Sequence, residues 1–259
     1  MIIKNAEIVD IHGRRKGDIL VKDGIVADTD FKGNYEDHQI IDGLNYTLMP
    51  SFIDMHTHLR DPGFEYKEDM ETGMRAALKG GYTHLAAMAN TNPITDNMDM
   101  VVENLSKSKE LNLCDFTQIC ALTKDFEEEF VDLEKIIAVT KVFSNDGKTV
   151  VGENTMREGL KLSKEFGFLL ATHCEPEVEV VKRDLNILRE MPGNLHICHV
   201  SEKETLNLIR KAKREGLRFT CEVTPHHVFD NDIDYKVSPP FGTKGDRQAL
   251  IEGIKDGTI

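Results

Sequence analysis

The arrangement of apolar and polar positions changes near residue 50. Before that point, short apolar runs at residues 2–9, 18–22 and 25–27 are separated by polar turns. Asp23-Gly24 stands between the second and third runs, and an Asp-Gly pair in that position is a β-hairpin signal. The pattern therefore predicts a small β domain over residues 1–50.

From Pro50 onwards, short apolar runs alternate with amphipathic helical patterns. The runs predict seven strands, at residues 52–58, 83–90, 116–122, 141–145, 168–173, 194–200 and 219–224. Helices are predicted at 67–79, 202–215 and 246–255, and Ser201 followed by Glu204 indicates a capping box at the second of these.

Alternation of strands and helices is typical of βα units around a parallel sheet. Residues 51–259 therefore predict an α/β fold, a TIM-like (β/α)8 barrel with seven strands present and the eighth missing. Such a barrel needs an eighth strand to pair with the first and seventh. We expect further polypeptide after Ile259 to supply it.

Composition narrows the classes of function. The chain has 259 residues, of which 40% are hydrophobic, and a formal net charge of −13. This charge argues against nucleic-acid binding, because no basic stripe is present to replace counterions. No apolar run approaches the roughly 20 residues of a membrane span. The five cysteines form no CxxC pair, which favours free thiols in a reducing cytoplasm.

The first strand of the second region ends in His56-Thr57-His58. A strand repeats every two residues, so both imidazoles point to one face. Two neutral imidazoles on one face form half of a metal site, although two strand histidines can also merely pack or hydrogen-bond. Arg60 follows two residues later, where it can hold an anionic group beside the metal.

In parallel barrels the reactive residues gather at the C-terminal ends of the strands. Those ends carry four histidines, a carboxylate and an amide: His56, His58, Asn90, Asp146, His173 and His199. The histidines and the carboxylate are enough ligands for two divalent cations, which polarise a carbonyl and activate water for amide hydrolysis.

The motifs around these residues resemble those of the class I dihydroorotases of the amidohydrolase superfamily. The matching segments occur in family order from about residue 40 onwards: His56-Thr57-His58-Leu59-Arg60-Asp61-Pro62-Gly63, Tyr66-Lys67-Glu68, Glu71-Thr72-Gly73, Asn90-Thr91-Asn92-Pro93, Ser144-Asn145-Asp146-Gly147, Thr172-His173-Cys174-Glu175, Cys198-His199-Val200-Ser201 and Val223-Thr224-Pro225-His226-His227. The resemblance implies a metal-dependent barrel beside a small N-terminal β-sandwich, which strands from the C-terminal part normally complete.

The implied activity is the reversible cyclisation of N-carbamoyl-L-aspartate to L-dihydroorotate, the third step of pyrimidine synthesis. The resemblance also implies one or two zinc ions per subunit. His56 and His58 resemble the ligands of one zinc, His173 and His199 those of the second, and Asp146 the bridging carboxylate. A homodimer and an association with aspartate transcarbamoylase are also expected.

The resemblance assigns Arg60, Asn90 and Ser238 to substrate binding. Arginine's planar fork suits a carboxylate. Ser238 stands where the family has asparagine, in Ser238-Pro239-Pro240-Phe241-Gly242, so its hydroxyl has a shorter reach. Two further departures are Asn145, which replaces the first acid of Asp-Asp-Gly, and a shorter segment between His173 and His199, which predicts a trimmed loop.

Lys141 stands where related amidohydrolases carry a carbamylated lysine that bridges the metals. If it were carbamylated, it would displace Asp146 from the bridge. The alternative, which we favour, is an outward-facing strand lysine with a packed stem.

No catalytic residue is identified in 1–259 itself. The family carries an aspartate on the eighth strand that shuttles the proton, and we expect this acid/base beyond Ile259. Its loss would lower the rate by some 10²- to 10⁴-fold.

Two other functions stay open. A hydantoinase- or dihydropyrimidinase-like cyclic amidase would act on uncharged rings and be indifferent to replacement of Arg60. Separately, the alternative to a substrate-binding Arg60 is a surface salt bridge with Asp61 or Glu65. A non-catalytic, dihydroorotase-like partner of aspartate transcarbamoylase would need no metal ligands.

Overall fold

The structure is a computed structural model that describes residues 1–229 and 235–259. The chain forms two compact units, Met1–Phe52 and Ile53–Ile259. In the described part of the chain, no helix is both long enough and apolar enough to cross a bilayer.

The first unit contains one five-stranded sheet. Its strands are β1 (Ile2–Asp10), β2 (Gly13–Lys22), β3 (Ile25–Asp28), β4 (Ile40–Asp42) and β5 (Thr47–Leu48). The order is β3-β2-β1-β4, with β5 also paired to β1. Strands β2 and β3 are antiparallel, and Asp23 and Gly24 between them both have positive φ, which confirms the predicted hairpin. The second layer of a sandwich stays a prediction.

The seven predicted strands follow from Phe52 onwards, and each is shorter than its apolar run. They are β6 (Phe52–Thr57), β7 (Tyr82–Ala87), β8 (Asp115–Gln118), β9 (Val142–Ser144), β10 (Leu169–Thr172), β11 (Leu195–Ile197) and β12 (Thr220–Cys221). They form a three-stranded sheet, β6-β7-β8, and a four-stranded sheet, β9-β10-β11-β12.

A parallel bridge between Cys120 and Phe143 joins the two sheets, so the seven strands follow one another in chain order. The pairs β7–β8, β9–β10, β10–β11 and β11–β12 are parallel. The unit is therefore an α/β structure whose parallel strands end at one common rim.

Helices connect successive strands, and further helices follow the last strand. They are α1 (Met70–Lys79), α2 (Met98–Leu111), α3 (Leu133–Ile136), α4 (Glu153–Phe166), α5 (Glu177–Glu190), α6 (Lys203–Arg214), α7 (Pro225–Phe229) and α8 (Lys244–Lys255). Helix α1 begins with a capping box between Asp69 and Thr72, and α8 with one between Thr243 and Asp246. These reciprocal bonds satisfy the free N–H groups of a first turn.

The capping box predicted at Ser201 and Glu204 is wrong. Helix α6 is preceded by Glu202, which makes no side-chain cap bond. The Ser201 hydroxyl instead donates to the buried carboxylate of Glu177, which also accepts from the backbone N–H groups of Ser201 and Glu202. A buried carboxylate needs such partners more than an exposed helix end does.

The core of the second unit lies between the sheet and its helices. Phe143 on β9 and Phe168 before β10 are fully buried, with ring centroids 4.7 Å apart. Leu160 from α4 and Leu170 from β10 belong to the same cluster. This packing fixes the neighbouring strands β9 and β10, whose C-terminal ends carry Asp146 and His173.

Candidate metal centre

Strand β6 brings the two histidines of His56-Thr57-His58 together, as its two-residue repeat predicts. The Nε2 atoms of His56 and His58 lie 3.3 Å apart. Both imidazoles are partly buried, and His58 stands one residue beyond the last residue of the strand. The pair therefore faces the rim where the parallel strands end.

The carboxylate of Asp146 lies at the centre of the cluster. Its Oδ1 atom is 3.4 Å from His56 Nε2, 3.5 Å from His173 Nδ1 and 3.2 Å from His199 Nε2. Its Oδ2 atom is 3.4 Å from His58 Nε2. With 2% exposure, Asp146 is a buried carboxylate that faces all four imidazoles.

The preceding residue explains how Asp146 is held there. The Asn145 side-chain oxygen accepts from the N–H groups of Leu122 and Thr123, and its amide donates to Thr123 Oγ1 at 2.6 Å. A carboxylate could accept these bonds but could not donate the third. The departure from the family's Asp-Asp-Gly thus gives a residue that connects this loop to the segment after β8.

His173 directly follows β10, His199 is the second residue after β11, and both are 6% exposed. His173 Nδ1 lies 2.9 Å from His199 Nε2. The backbone of His199 has φ of +34°, a conformation that is uncommon for a residue with a side chain and occurs often at functional sites. The structure thus brings His56, His58, Asp146, His173 and His199 together in one cluster.

The electrostatics of the cluster favour a charged carboxylate. Burial by itself raises the pKa of Asp146, but hydrogen bonds with His173, His199 and His56 outweigh it and hold this pKa well below its usual range. Burial lowers the pKa of His58 to about 4, against the attraction of Asp146. His58 is therefore neutral at pH 7 and retains a lone pair for a metal.

The outward-facing nitrogens of three histidines also have the partners expected of metal-binding histidines. His56 Nδ1 lies 2.6 Å from Glu222 Oε1, His58 Nδ1 lies 2.9 Å from Asn90 Oδ1, and His173 Nε2 lies 3.5 Å from Glu175 Oε2. Each of these oxygens can accept a hydrogen bond from its ring, so each outer nitrogen has a partner that would keep its proton when the inner nitrogen binds a metal. In the metal-bound protein the inward nitrogens would offer lone pairs in place of protons, which is the donor set that a divalent cation such as zinc requires.

Glu222 was not among the residues expected at the site. It follows β12 directly, and it contacts both His56 and His196. The sequence feature that could have identified it is a carboxylate near the C-terminal end of the seventh predicted strand, where the rim lies.

Lys141 lies away from the cluster. It is exposed and precedes the first residue of β9, and its carbonyl oxygen accepts from the N–H group of Leu169. Asp146 lies beyond the other end of the same strand. This placement supports the outward-facing alternative for Lys141.

Arg60 is partly buried and adopts a φ of +60° just after the histidine pair. The expected alternative pairing is not present, because Asp61 binds Lys107 at 2.6 Å and Glu65 accepts from the Gly63 N–H group. Among residues 1–229 and 235–259, no carboxylate forms an ion pair with Arg60. A guanidinium that no carboxylate of these described residues neutralises is available to an anion.

Asn90 has a second contact that the resemblance did not imply. Its side-chain oxygen accepts from His58, which leaves its amide nitrogen for other partners. A Cβ atom on Gly147 would lie 3.0 Å from that nitrogen, so the glycine at φ +90° leaves space beside it.

Ser238 is exposed and lines a cavity of about 560 Å³. The same cavity is lined by His173, Glu175 and Phe241. Ser238 therefore lies on the same side as the second pair of histidines, although no contact with the cluster is present.

A family model and the curated relatives of this chain point to the same family. A family described as dihydro-orotase-like matches residues 46–182. The dihydroorotase of Clostridium botulinum is 38% identical over 279 residues, covering 100% of this chain and 69% of the relative. The dihydroorotases of Caldicellulosiruptor saccharolyticus and Aquifex aeolicus are each 35% identical and are each covered over 70% of their length by the whole of this chain.

Solved structures with the same fold include an L-hydantoinase and a dihydropyrimidinase. The L-hydantoinase of Arthrobacter aurescens matches with a TM-score of 0.85 and 22% identity, covering 100% of this chain and 67% of that structure. The dihydropyrimidinase of Brevibacillus agri matches with a TM-score of 0.87 and 20% identity, covering 100% and 66%. At these identities the likeness establishes the fold.

Proposed function

This chain belongs to the dihydroorotase family, and from that premise we propose that its metal centre catalyses the reversible cyclisation of N-carbamoyl-L-aspartate to L-dihydroorotate. The observation that carries this proposal is the position of Asp146, whose two carboxylate oxygens face the imidazoles of both histidine pairs.

The ligands divide into two sets around that carboxylate. His56 and His58 would hold one zinc ion, His173 and His199 the second, and Asp146 both. When bound, the two cations supply Lewis acidity, which polarises the amide carbonyl and makes water a better nucleophile. Nitrogen and oxygen donors of this kind suit zinc.

Arg60 and Asn90 bind the carboxylate of the substrate. The guanidinium offers paired N–H donors in the geometry of a carboxylate, and the amide nitrogen of Asn90 adds another donor. Together they orient the ring so that its amide faces the histidine cluster. Ser238, across the cavity beside His173, supplies one further hydrogen bond with its hydroxyl.

The proton transfer belongs to a carboxylate on the eighth strand of a closed barrel, as the resemblance implies. Closure is supported by the two edge strands of the described sheet: His56 from β6 and Glu222, which follows β12, approach to 2.6 Å. The seven strands are therefore strongly curved, and an eighth would pair with both edges.

Turnover of dihydroorotate tests the proposal against the hydantoinase alternative. The purified protein with zinc should hydrolyse L-dihydroorotate far faster than dihydrouracil or an uncharged hydantoin. The reverse preference would assign the chain to the cyclic amidases that act on uncharged rings.

The remaining expectations concern the surroundings of the enzyme. The five cysteines are free thiols in the structure, which supports a reducing, cytoplasmic location. The expected homodimer would be tested by light scattering, and the expected association with aspartate transcarbamoylase by co-sedimentation of the two purified proteins.

A further inference from the structure

We propose that Glu222 is a positioning residue that fixes the proton and the ring orientation of His56, so that Nε2 of this histidine is presented to the metal. The inference rests on the proposed function, since it concerns a ligand of the proposed zinc centre. Its basis is the 2.6 Å contact between His56 Nδ1 and Glu222 Oε1. A carboxylate that accepts from the outer nitrogen of a metal-binding histidine sets both its tautomer and its angle.

The carboxylate of Glu222 is itself held at both oxygens. Its Oε2 atom lies 3.3 Å from His196 Nε2, and His196 Nδ1 lies 2.7 Å from Thr220 Oγ1. One set of protons satisfies the whole chain of bonds: the Thr220 hydroxyl donates to His196, and both histidines donate to Glu222. The carboxylate therefore cannot rotate without breaking a bond.

The location of Glu222 gives this contact a structural consequence. Thr220 belongs to β12 and Glu222 follows that strand, whereas His56 belongs to β6, and these are the two edge strands of the described sheet. The side chain of Glu222 is mostly buried, so its charge-assisted bond is little screened by water. Glu222 thus connects a metal ligand on the first strand of the sheet to the last.

A metal site formed by His56, Cys198 and Glu222 themselves is the alternative use of these atoms, which lie within 4.8 Å of one another. Two ligands around a tetrahedral zinc, at bond lengths near 2.0–2.1 Å, stand about 3.3 Å apart. The observed 2.6 Å between His56 and Glu222 is a hydrogen-bond distance. The geometry therefore favours orientation of His56 over a separate metal site.

Zinc affinity tests the proposal without relying on turnover. Apoprotein would be titrated with zinc against a chromophoric chelator for the wild type and for Glu222→Leu, Glu222→Gln and Glu222→Asp. We expect Glu222→Leu to weaken binding of one zinc by about 10- to 100-fold. Glu222→Gln should lose less, because its amide oxygen still accepts from His56. Glu222→Asp should resemble the leucine variant, because the shorter side chain does not reach.

Glu215→Gln is the matched control, since Glu215 is paired with Arg189 in the segment before β12 and contacts no histidine of the cluster. Its zinc affinity should equal that of the wild type. Circular dichroism and urea unfolding identify any variant that does not fold. If the leucine variant does not fold, the comparison of Glu222→Gln with Glu222→Asp still tests the proposal, because only glutamine keeps an acceptor for His56.

The outcomes separate the two proposals. Wild-type protein that binds two zinc ions while all three Glu222 variants bind them equally well would overturn the role of Glu222 alone. Loss of a third zinc equivalent in the variants would show a separate metal site and would also overturn it. Wild-type protein that binds no zinc would overturn the metal centre and the role of Glu222 together.

Discussion

Asn90 Oδ1 accepts a hydrogen bond from His58 Nδ1 over 2.9 Å, so one amide is shared between the proposed metal site and the proposed substrate site. Its oxygen holds the His58 proton on the outer nitrogen, and its nitrogen is left for the carboxylate of the proposed substrate. The two halves of the amide can be tested separately.

Substitution of Asn90 by aspartate keeps the acceptor for His58 but places a negative charge near the substrate carboxylate. We expect Asn90→Asp to raise KM for dihydroorotate at least tenfold at unchanged zinc content. Asn90→Leu removes the acceptor as well, and its zinc affinity should fall by about tenfold or more. Steady-state kinetics and metal analysis of both variants check this. Equal zinc loss in both would contradict the division of roles.

Arg60→Met should lower kcat/KM for dihydroorotate by roughly 10- to 100-fold, which corresponds to about 1.5–3 kcal/mol for hydrogen bonds to a charged group. Arg60→Lys should recover only part of the loss, because an ammonium lacks the planar fork. Arg75→Met is the matched control, since Arg75 pairs with Glu71 on the surface of α1. An Arg60→Met enzyme with wild-type kinetics would favour the hydantoinase alternative.

His227 connects α7 to the segment that carries Ser238. Its Nε2 atom lies 3.2 Å from the carbonyl oxygens of both Pro239 and Pro240, and its Nδ1 atom contacts Thr224 Oγ1. His227→Phe keeps an aromatic ring but removes these bonds, so the Ser238 loop loses its contacts with His227. We expect a several-fold higher KM at unchanged zinc content. His84→Gln, at a strand histidine bonded to Thr117, is the control.

The fully buried Asp184 gives a prediction about stability. Burial outweighs the charge and hydrogen bond of Arg183 and raises the pKa of Asp184 to about 6, from an ordinary value of 3.8. A carboxyl with a raised pKa binds its proton more tightly in the folded protein. The protonated Asp184 therefore adds to the free energy of unfolding below pH 4, and this contribution is lost as the pH rises through 6.

The rise in the pKa of Asp184 on folding corresponds to about 3 kcal/mol of folding free energy. Between pH 4 and pH 7, the free energy of unfolding of the wild type should fall by roughly that amount relative to Asp184→Asn. Urea unfolding of both proteins at several pH values measures the difference. A difference that stays constant with pH would show that Asp184 does not titrate in this range.

The parts of the site that could be predicted from the sequence are those fixed by strand periodicity. His56 and His58 share a face because a strand repeats every two residues, and His173 and His199 follow strands whose apolar runs mark their ends. Parallel strands place those ends at one rim, whatever the details of packing. For this reason the five proposed ligands were identifiable before their distances were known.

The contacts that the sequence did not predict depend on distant partners. Ser201 fits a capping pattern locally, but the buried carboxylate of Glu177 takes its hydroxyl. The role of Glu222 depends on His56, which lies 166 positions away along the chain, and no local pattern marks that pairing. Lys141 lies outside the cluster because β9 begins one residue after it and runs towards Asp146.

The central claim is that two histidine pairs and Asp146 form one metal site, and the most direct test is the zinc content of purified protein. We predict about two equivalents for the wild type and for the His84→Gln control, and about one for His173→Ala. A wild-type protein without zinc, or a His173→Ala variant that retains both equivalents, would contradict the account.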